Sequence, residues 1–384
     1  MRSRDIGLAL LCGMLAPVTA ARAASPEWEL RGSASQGYDS NPLQLPDGNR
    51  TAGFTQLGLG STFSIEATRR IGFFASADVR HRLHYSDLSD ADTTRGIAET
   101  GMGLVLFERG ERRLSAAVRG SYLVSRSTFV DPATGEVYVV SDPNFSASIP
   151  DRFDVDTAAV HLDLRLRVSR DLLLMLDSRY EQEDFVNDYG DVPSMESLDD
   201  TAVVVRPGAR WQVSDRVRLD ISAEWSNRRY RSLSALDESA NLVGGTRREY
   251  RHTAARASVR IDPTERWSVA FGLGGVDRKD LYAGYYDSLG ANGFLSVGWS
   301  PIARTRLQAH VSKTAYTYDR ATLDNDPEGV LRGSDYLRAS LVAERDLGDH
   351  MTAFVEGGTS RSDNPDILFA YRSNWGQTGL RFKL

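Results

Sequence analysis

Gln377-Thr378-Gly379-Leu380-Arg381-Phe382-Lys383-Leu384 ends the chain with a clean period of two. Thr378, Leu380, Phe382 and Leu384 fall on one face of an extended segment, and Gln377, Arg381 and Lys383 on the other. A strand with one apolar face, placed last, has nothing after it to cover that face. It must pair with a strand already in place, which predicts a sheet closed on itself.

The same period runs upstream. Ala158, Val160, Leu162, Leu164, Leu166 and Val168 alternate with His161, Asp163, Arg165 and Arg167. Val203, Val205, Ala209, Trp211 and Val213 oppose Arg206, Arg210 and Gln212; Val217, Leu219, Ile221, Ala223 and Trp225 oppose Arg218, Asp220, Ser222, Glu224 and Arg228. Helical spacing fits none of these stretches. From Trp28 onward such segments are joined alternately by short turns and longer polar loops. Short turns are expected at 69–70, 109–111, 169–171, 214–216, 262–265, 301–304 and 348–350. Long loops are expected near 39–51, 86–95, 126–153, 185–200, 231–248, 280–290, 319–334 and 362–370. Seven short and eight long connections join sixteen strands. The segments exceed the roughly 5–6 residues usual in soluble sheets and suit the ~9–11 residues of a bilayer crossing. The expected fold is all-β: one transmembrane antiparallel barrel over residues 24–384, with short periplasmic turns, long extracellular loops and both termini periplasmic.

Composition agrees. A mean hydropathy of -0.36 with 41% hydrophobic residues has no long apolar run, as expected when half of each strand faces a wet interior. The net charge of -6 makes no case for nucleic acid. Residues 1–23 read as a signal peptide: Arg2 and Arg4, a short apolar run from Ile6 to Val18, then Ala21-Arg22-Ala23 before the cut. Cys12, the single cysteine, lies in that leader, so the mature chain has no thiol for disulfides, thiolate metal sites or a Cys nucleophile.

On the inner face the pattern places Arg80, Arg82, Arg165, Arg167, Arg206, Arg210, Arg218, Arg256 and Arg260, with Asp177, Glu181 and Glu183. These are the expected pore-lining residues. Arginines on three consecutive strands form a basic ladder, with carboxylates concentrated on the strand beside it, a field suited to orienting anionic solutes. Inward Gly58, Gly60, Gly101, Gly103, Gly272, Gly274, Gly298 and Gly358 are expected to leave room in the lumen. Aromatics near strand ends (Trp28, Tyr38, Phe73, Tyr85, Tyr122, Tyr180, Trp211, Trp225, Tyr230, Trp267, Trp299, Tyr318 and Phe382) suit interfacial girdles. The loop from Ser127 to Phe153 is the longest and reads as a surface loop.

Catalytic chemistry finds little support. His84 and Ser86 share a face, but on the lumen side, and no histidine or carboxylate group has metal-ligand spacing. The acidic runs Asp87 to Asp92 and Asp324-Asn325-Asp326 read as solvated loop tips. No enzyme activity and no cofactor are expected.

The last strand resembles the C-terminal signal of bacterial outer-membrane barrels at Gln377, Gly379, Phe382 and Leu384, with Leu in the final place where an aromatic is more usual. Gly37-Tyr38-Asp39-Ser40-Asn41-Pro42 resembles the opening of a group of proteobacterial barrels, the barrel-porin-type-2 proteins found with exopolysaccharide systems and the barrel domain of surface lipoprotein assembly modifiers. Trp299-Ser300-Pro301 and Gly379-Leu380-Arg381-Phe382 are similar to that group as well. The resemblance implies an outer-membrane channel passing polar or acidic solutes or a polysaccharide. The alternative it implies is a non-conducting barrel scaffold for surface display, adhesion or surface-lipoprotein assembly. Implied partners are outer-membrane lipid and lipopolysaccharide, the barrel-assembly machinery, and a polysaccharide or periplasmic export partner.

Overall fold

Sixteen long strands each pair antiparallel with the next, and the last returns to the first. They are β1 (Glu27–Asp39), β2 (Ala52–Thr68), β3 (Ile71–His84), β4 (Thr93–Arg109), β5 (Arg112–Ser127), β8 (Val155–Arg167), β9 (Leu172–Phe185) and β10 (Asp200–Ser214). The second half comprises β11 (Val217–Tyr230), β14 (Glu249–Thr264), β15 (Trp267–Asp280), β16 (Ser288–Trp299), β17 (Thr305–Thr322), β18 (Leu331–Asp346), β19 (Met351–Asp363) and β20 (Tyr371–Lys383). Together they form one closed barrel. This computed structural model describes residues 26–46, 50–85, 91–128, 130, 138–142, 145–149, 151–185, 197–323, 329–366 and 369–384. The expected leader, Ser86, Asp87, Asp90 and Asp324-Asn325-Asp326 lie outside the described residues.

The loops hold two further hairpins, β6 (Val139–Asp142) with β7 (Phe145–Ser148) and β12 (Ala235–Leu236) with β13 (Leu242–Val243). The sequence pattern does not anticipate either one. The turn expected at 262–265 falls instead at Glu265 and Arg266, because an irregularity between Ile261 and Thr264 carries β14 further. Likewise β17 runs to Thr322, through an irregularity between Thr317 and Thr322.

The seam where β20 meets β1 is held at three levels. At the short-turn end, Leu30 and Leu384 exchange two backbone hydrogen bonds of 2.9 and 2.8 Å. Midway, Ser35 Oγ donates to Gln377 Oε1 (3.0 Å), and Gln377 Nε2 donates to Glu356 (2.9 Å). At the long-loop end the Gly37–Pro42 segment is a latch. Asp39 Oδ1 accepts from Ser373 Oγ (2.5 Å) and from the Asn41 backbone (2.9 Å). Asn41, 1% exposed, donates to the carbonyls of Leu45 (2.7 Å) and Arg372 (3.1 Å). The motif therefore has a structural role here: it saturates buried polar groups where the sheet closes.

Gly379 sits where the backbones of the seam approach most closely. A Cβ there would collide with the Ala34 carbonyl and lie 2.6 Å from the Ser35 Cβ. Gly379→Val is expected to destabilise the barrel by about 1–3 kcal/mol through overpacking. Refolding followed by heat-modifiable gel mobility should show the folded band lost, with Gly103→Val, which meets nothing within 4 Å, unchanged.

Outward positions are apolar and exposed along every wall, among them Leu59, Val160, Ile221, Leu273 and Val355. Aromatics bracket this band. Trp28 lies tilted against Phe63, and Trp267 stacks on Trp299 at 5.3 Å and 14° between rings, on the short-turn side. Tyr38 and Tyr85 lie outward on the other side. The ten steps from Trp28 to Tyr38, at ~3.3 Å each and a tilt of about 40°, span roughly 25 Å along the barrel axis. That is the height of a bilayer's apolar band.

Candidate functional site in the barrel lumen

Because side chains alternate, the register fixes which residues face inward once the apolar band faces out. Arg80, Arg82, Arg165, Arg167, Arg206, Arg210, Arg218, Arg256, Arg260, Asp177, Glu181 and Glu183 all stand opposite the exposed apolar set of their strands. The arginine ladder, however, is largely neutralised, and mainly by carboxylates of its own hairpin. Arg206 pairs with Glu224, Arg210 with Asp220 at 2.5 Å, and Arg218 with Asp220 at 3.0 Å. Arg260 pairs with Asp262 (3.1 Å) and Arg80 with Asp78 (3.2 Å).

The carboxylates of β9 converge on a different arginine. Arg228 reaches Glu183 and Asp200 at 3.0 Å and Glu181 at 3.4 Å, while Arg179 reaches Glu181 at 3.0 Å. Asp200 is 1% exposed. One guanidinium thus balances three acids at the long-loop end of β9–β11. Among the described residues, Arg82, Arg165, Arg167, Arg256 and Arg338 have no ion pair. Asp177, set beside Asp163 in the register, and Glu356, held by Gln377, are inward acids likewise without one.

The inward glycines do not simply leave space. The Phe74 ring lies over Gly101, Phe294 over Gly272 and Trp375 over Gly358, while Arg256 and Asn292 cover Gly274. Ser33 covers Gly58, Asp78 covers Gly60 and Ser268 covers Gly298. At Gly101, Gly272, Gly274 and Gly358 a larger side chain from the next strand occupies the place a Cβ would fill, and at Gly58, Gly60 and Gly298 a short polar one does. Gly103 alone of the eight faces open space.

Two aromatics expected in the girdle are inside. Tyr230 follows Arg228 on the inner face, and Tyr318 packs on Tyr286 at 6.2 Å. With Tyr250 and Tyr285 they form a cluster at the long-loop mouth, where Arg278 lies 3.8 Å over the Tyr250 ring and Leu236 of the β12–β13 hairpin is buried. These tyrosines anchor the loops 231–248 and 281–287. His84 is buried on the inner face, 5.7 Å from Phe54 and 3.5 Å from Asp92.

A residue the sequence reading passed over stands in a niche of the inner wall. A cavity of about 1040 Å³ opens on the inner wall of the seam strands, lined by Arg82, Arg338, Tyr336, Trp375, Glu356 and Gln377 among others. Trp375 is on the inner face, two residues before Gln377, and that parity with a residue already placed on the polar face was the available signal.

Closed pairing, an apolar outer band and a charged inner wall define the outer-membrane type of β-barrel architecture. No protein-family model matches the chain, and no curated protein matches it. Among solved structures it is similar to a loop L8 deletion mutant of OmpT, an outer membrane protein of Vibrio cholerae, with 7% identity over 94% of this chain and 100% of that one at a TM-score of 0.47. It is also similar to Acinetobacter baumannii OccAB4 (9% identity, 94% and 99% covered, TM-score 0.46) and to a mutant of Rh. blastica porin (12%, 94% and 100%, TM-score 0.37).

Proposed function

We propose that the protein is an outer-membrane channel that gives small polar and acidic solutes an aqueous path, with its short turns and both termini in the periplasm. The observation that carries this reading is the division of the wall: exposed leucine, valine and aromatic side chains outside, arginines and carboxylates inside. Charges that face a membrane are expensive; charges that face a wide lumen stay hydrated. Sixteen strands leave a lumen wide enough for water. The unpaired guanidiniums of Arg82, Arg165, Arg167, Arg256 and Arg338, against Asp177 and Glu356, tilt the interior toward anions.

Single-channel recording of the refolded protein in planar bilayers tests this. Steady conductance with a mild anion preference is expected. Arg206→Ala with Arg210→Ala removes two positive charges and leaves Glu224 without its partner and Asp220 with Arg218 alone, so reversal potentials should move toward cations. Silence from a folded, heat-modifiable barrel would overturn the channel. The weight would then pass to a surface scaffold, the reading that the tyrosine-anchored outer loops favour.

A further inference from the structure

The cavity at the seam combines three features that one kind of ligand uses together. Trp375 lies flat against the wall, its ring edge 2.8 to 3.0 Å from where a Cβ at Gly358 would be, which places an indole on the lumen surface. Arg338 of β18 holds its guanidinium carbon 5.8 Å from that ring. From the other flank, Arg82 of β3 is fixed by Gln56 Oε1, which accepts from its Nε and Nη2 at 3.1 and 2.9 Å, and by the Phe54 ring 4.3 Å below. Arg82 and Arg338 line the same cavity, and neither has an ion pair among the described residues. The nearby acids are held away from direct pairing with either arginine: Glu356 accepts from Gln377, Asp39 from Ser373 and Asn41, and Asp78 pairs with Arg80.

Two guanidiniums that line one cavity and have no direct ion pair offer an entering carboxylate charge-assisted donors from two sides. An indole beside them favours a ligand with a flat, C–H-rich face. A sugar acid has both, and its hydroxyls suit the amides of Gln56 and Gln377. The cavity, about 1040 Å³ along the seam strands, lies just above the roughly 300–1,000 Å³ range of ligand pockets, which is ample for more than one ring.

We propose that this cavity is a binding subsite for an acidic pyranoside, with Trp375 as the stacking platform and Arg338 and Arg82 as carboxylate ligands. The subsite deepens the channel reading and rests on a lumen open to solutes. The test is titration calorimetry of the whole refolded barrel in detergent with glucuronate, glucose and acetate at matched ionic strength. Saturable glucuronate binding in the millimolar range is expected, with glucose roughly tenfold weaker for want of its charge and acetate unsaturable. Arg338→Gln should weaken glucuronate roughly tenfold and leave glucose unchanged. Trp375→Phe, which keeps a ring over Gly358, should weaken both sugars. Arg112→Gln, at the start of β5 beside a short turn, should alter neither.

Equal binding of acetate and glucuronate, with Trp375→Phe silent, would make the niche a plain anion site and overturn the sugar specificity. No saturable glucuronate binding would overturn the subsite outright. Because calorimetry needs no current, a barrel that conducts without binding defeats only the subsite, and one that binds without conducting defeats only the channel.

Discussion

Leu273→Arg is expected to destabilise the inserted barrel by about 2–4 kcal/mol, the cost of a guanidinium on the lipid face near the midplane. Leu273 is 72% exposed on the outer face of β15. It lies six residues above Trp267, about 15 Å along the axis at the strand tilt of this class, and so far from both aromatic belts. An arginine at a belt could extend its head into water; one at this height cannot do so without thinning the bilayer. Asn292→Lys is the control. Asn292 neighbours Gly293, the partner of Leu273 in the register, but points inward, and a charge there should change unfolding in vesicles little. Urea titration in phospholipid vesicles, followed by tryptophan fluorescence, reads both. Equal tolerance of the two would mean that the outer band does not face lipid.

Arg228→Ala should cost about 3 kcal/mol of unfolding free energy, at the low end for a buried ion pair broken from one side. The reason is the number of acids left behind. Asp200 and Glu181 are nearly inaccessible, and Glu183 shares the same guanidinium. Without Arg228 these carboxylates remain in one small volume, with only Arg179 on Glu181. Adding Asp200→Asn should recover part of the loss, because the second change removes one of the stranded charges; the same change alone should be mildly destabilising. This non-additivity distinguishes electrostatic compensation from lost packing. If the double variant is as unstable as the sum of the singles, the cluster does not act as a unit.

The barrel itself was legible because each strand buries nothing on one face and wets the other, so the period of two is present at full amplitude in segments such as 158–168. Every one of the seven short turns lies within a few residues of its expected place, and the errors at Asp262 and Thr322 are irregularities that periodicity cannot see. The loop hairpins were illegible for the opposite reason: β12 and β13 are two residues each, too short to have a period. The face of each inner charge could be read, but not its partner. Parity places Arg206 and Asp177 on one wall, even side by side in the register; only side-chain reach decides that Arg206 turns to Glu224 instead. Tyr230 and Tyr318 were assigned to the girdle by their nearness to strand ends, although parity with Arg228 already put Tyr230 inside.

The latch at the seam also has a temporal consequence. Ser35 and Gln377 stand 342 positions apart, and Asp39 and Ser373 stand 334 apart. Bringing such distant groups together directly in a flexible chain would cost about 5 kcal/mol of closure entropy. Hairpins formed between adjacent strands make no such demand and carry the two ends toward each other as the sheet curls. Closure then comes last, so one edge of β1 and one edge of β20 wait unpaired through the rest of assembly. Those edges are where a stalled chain would find the wrong neighbour, and the dense hydrogen bonding around Asn41 and Ser373 is the molecule's means of making the final step hard to reverse.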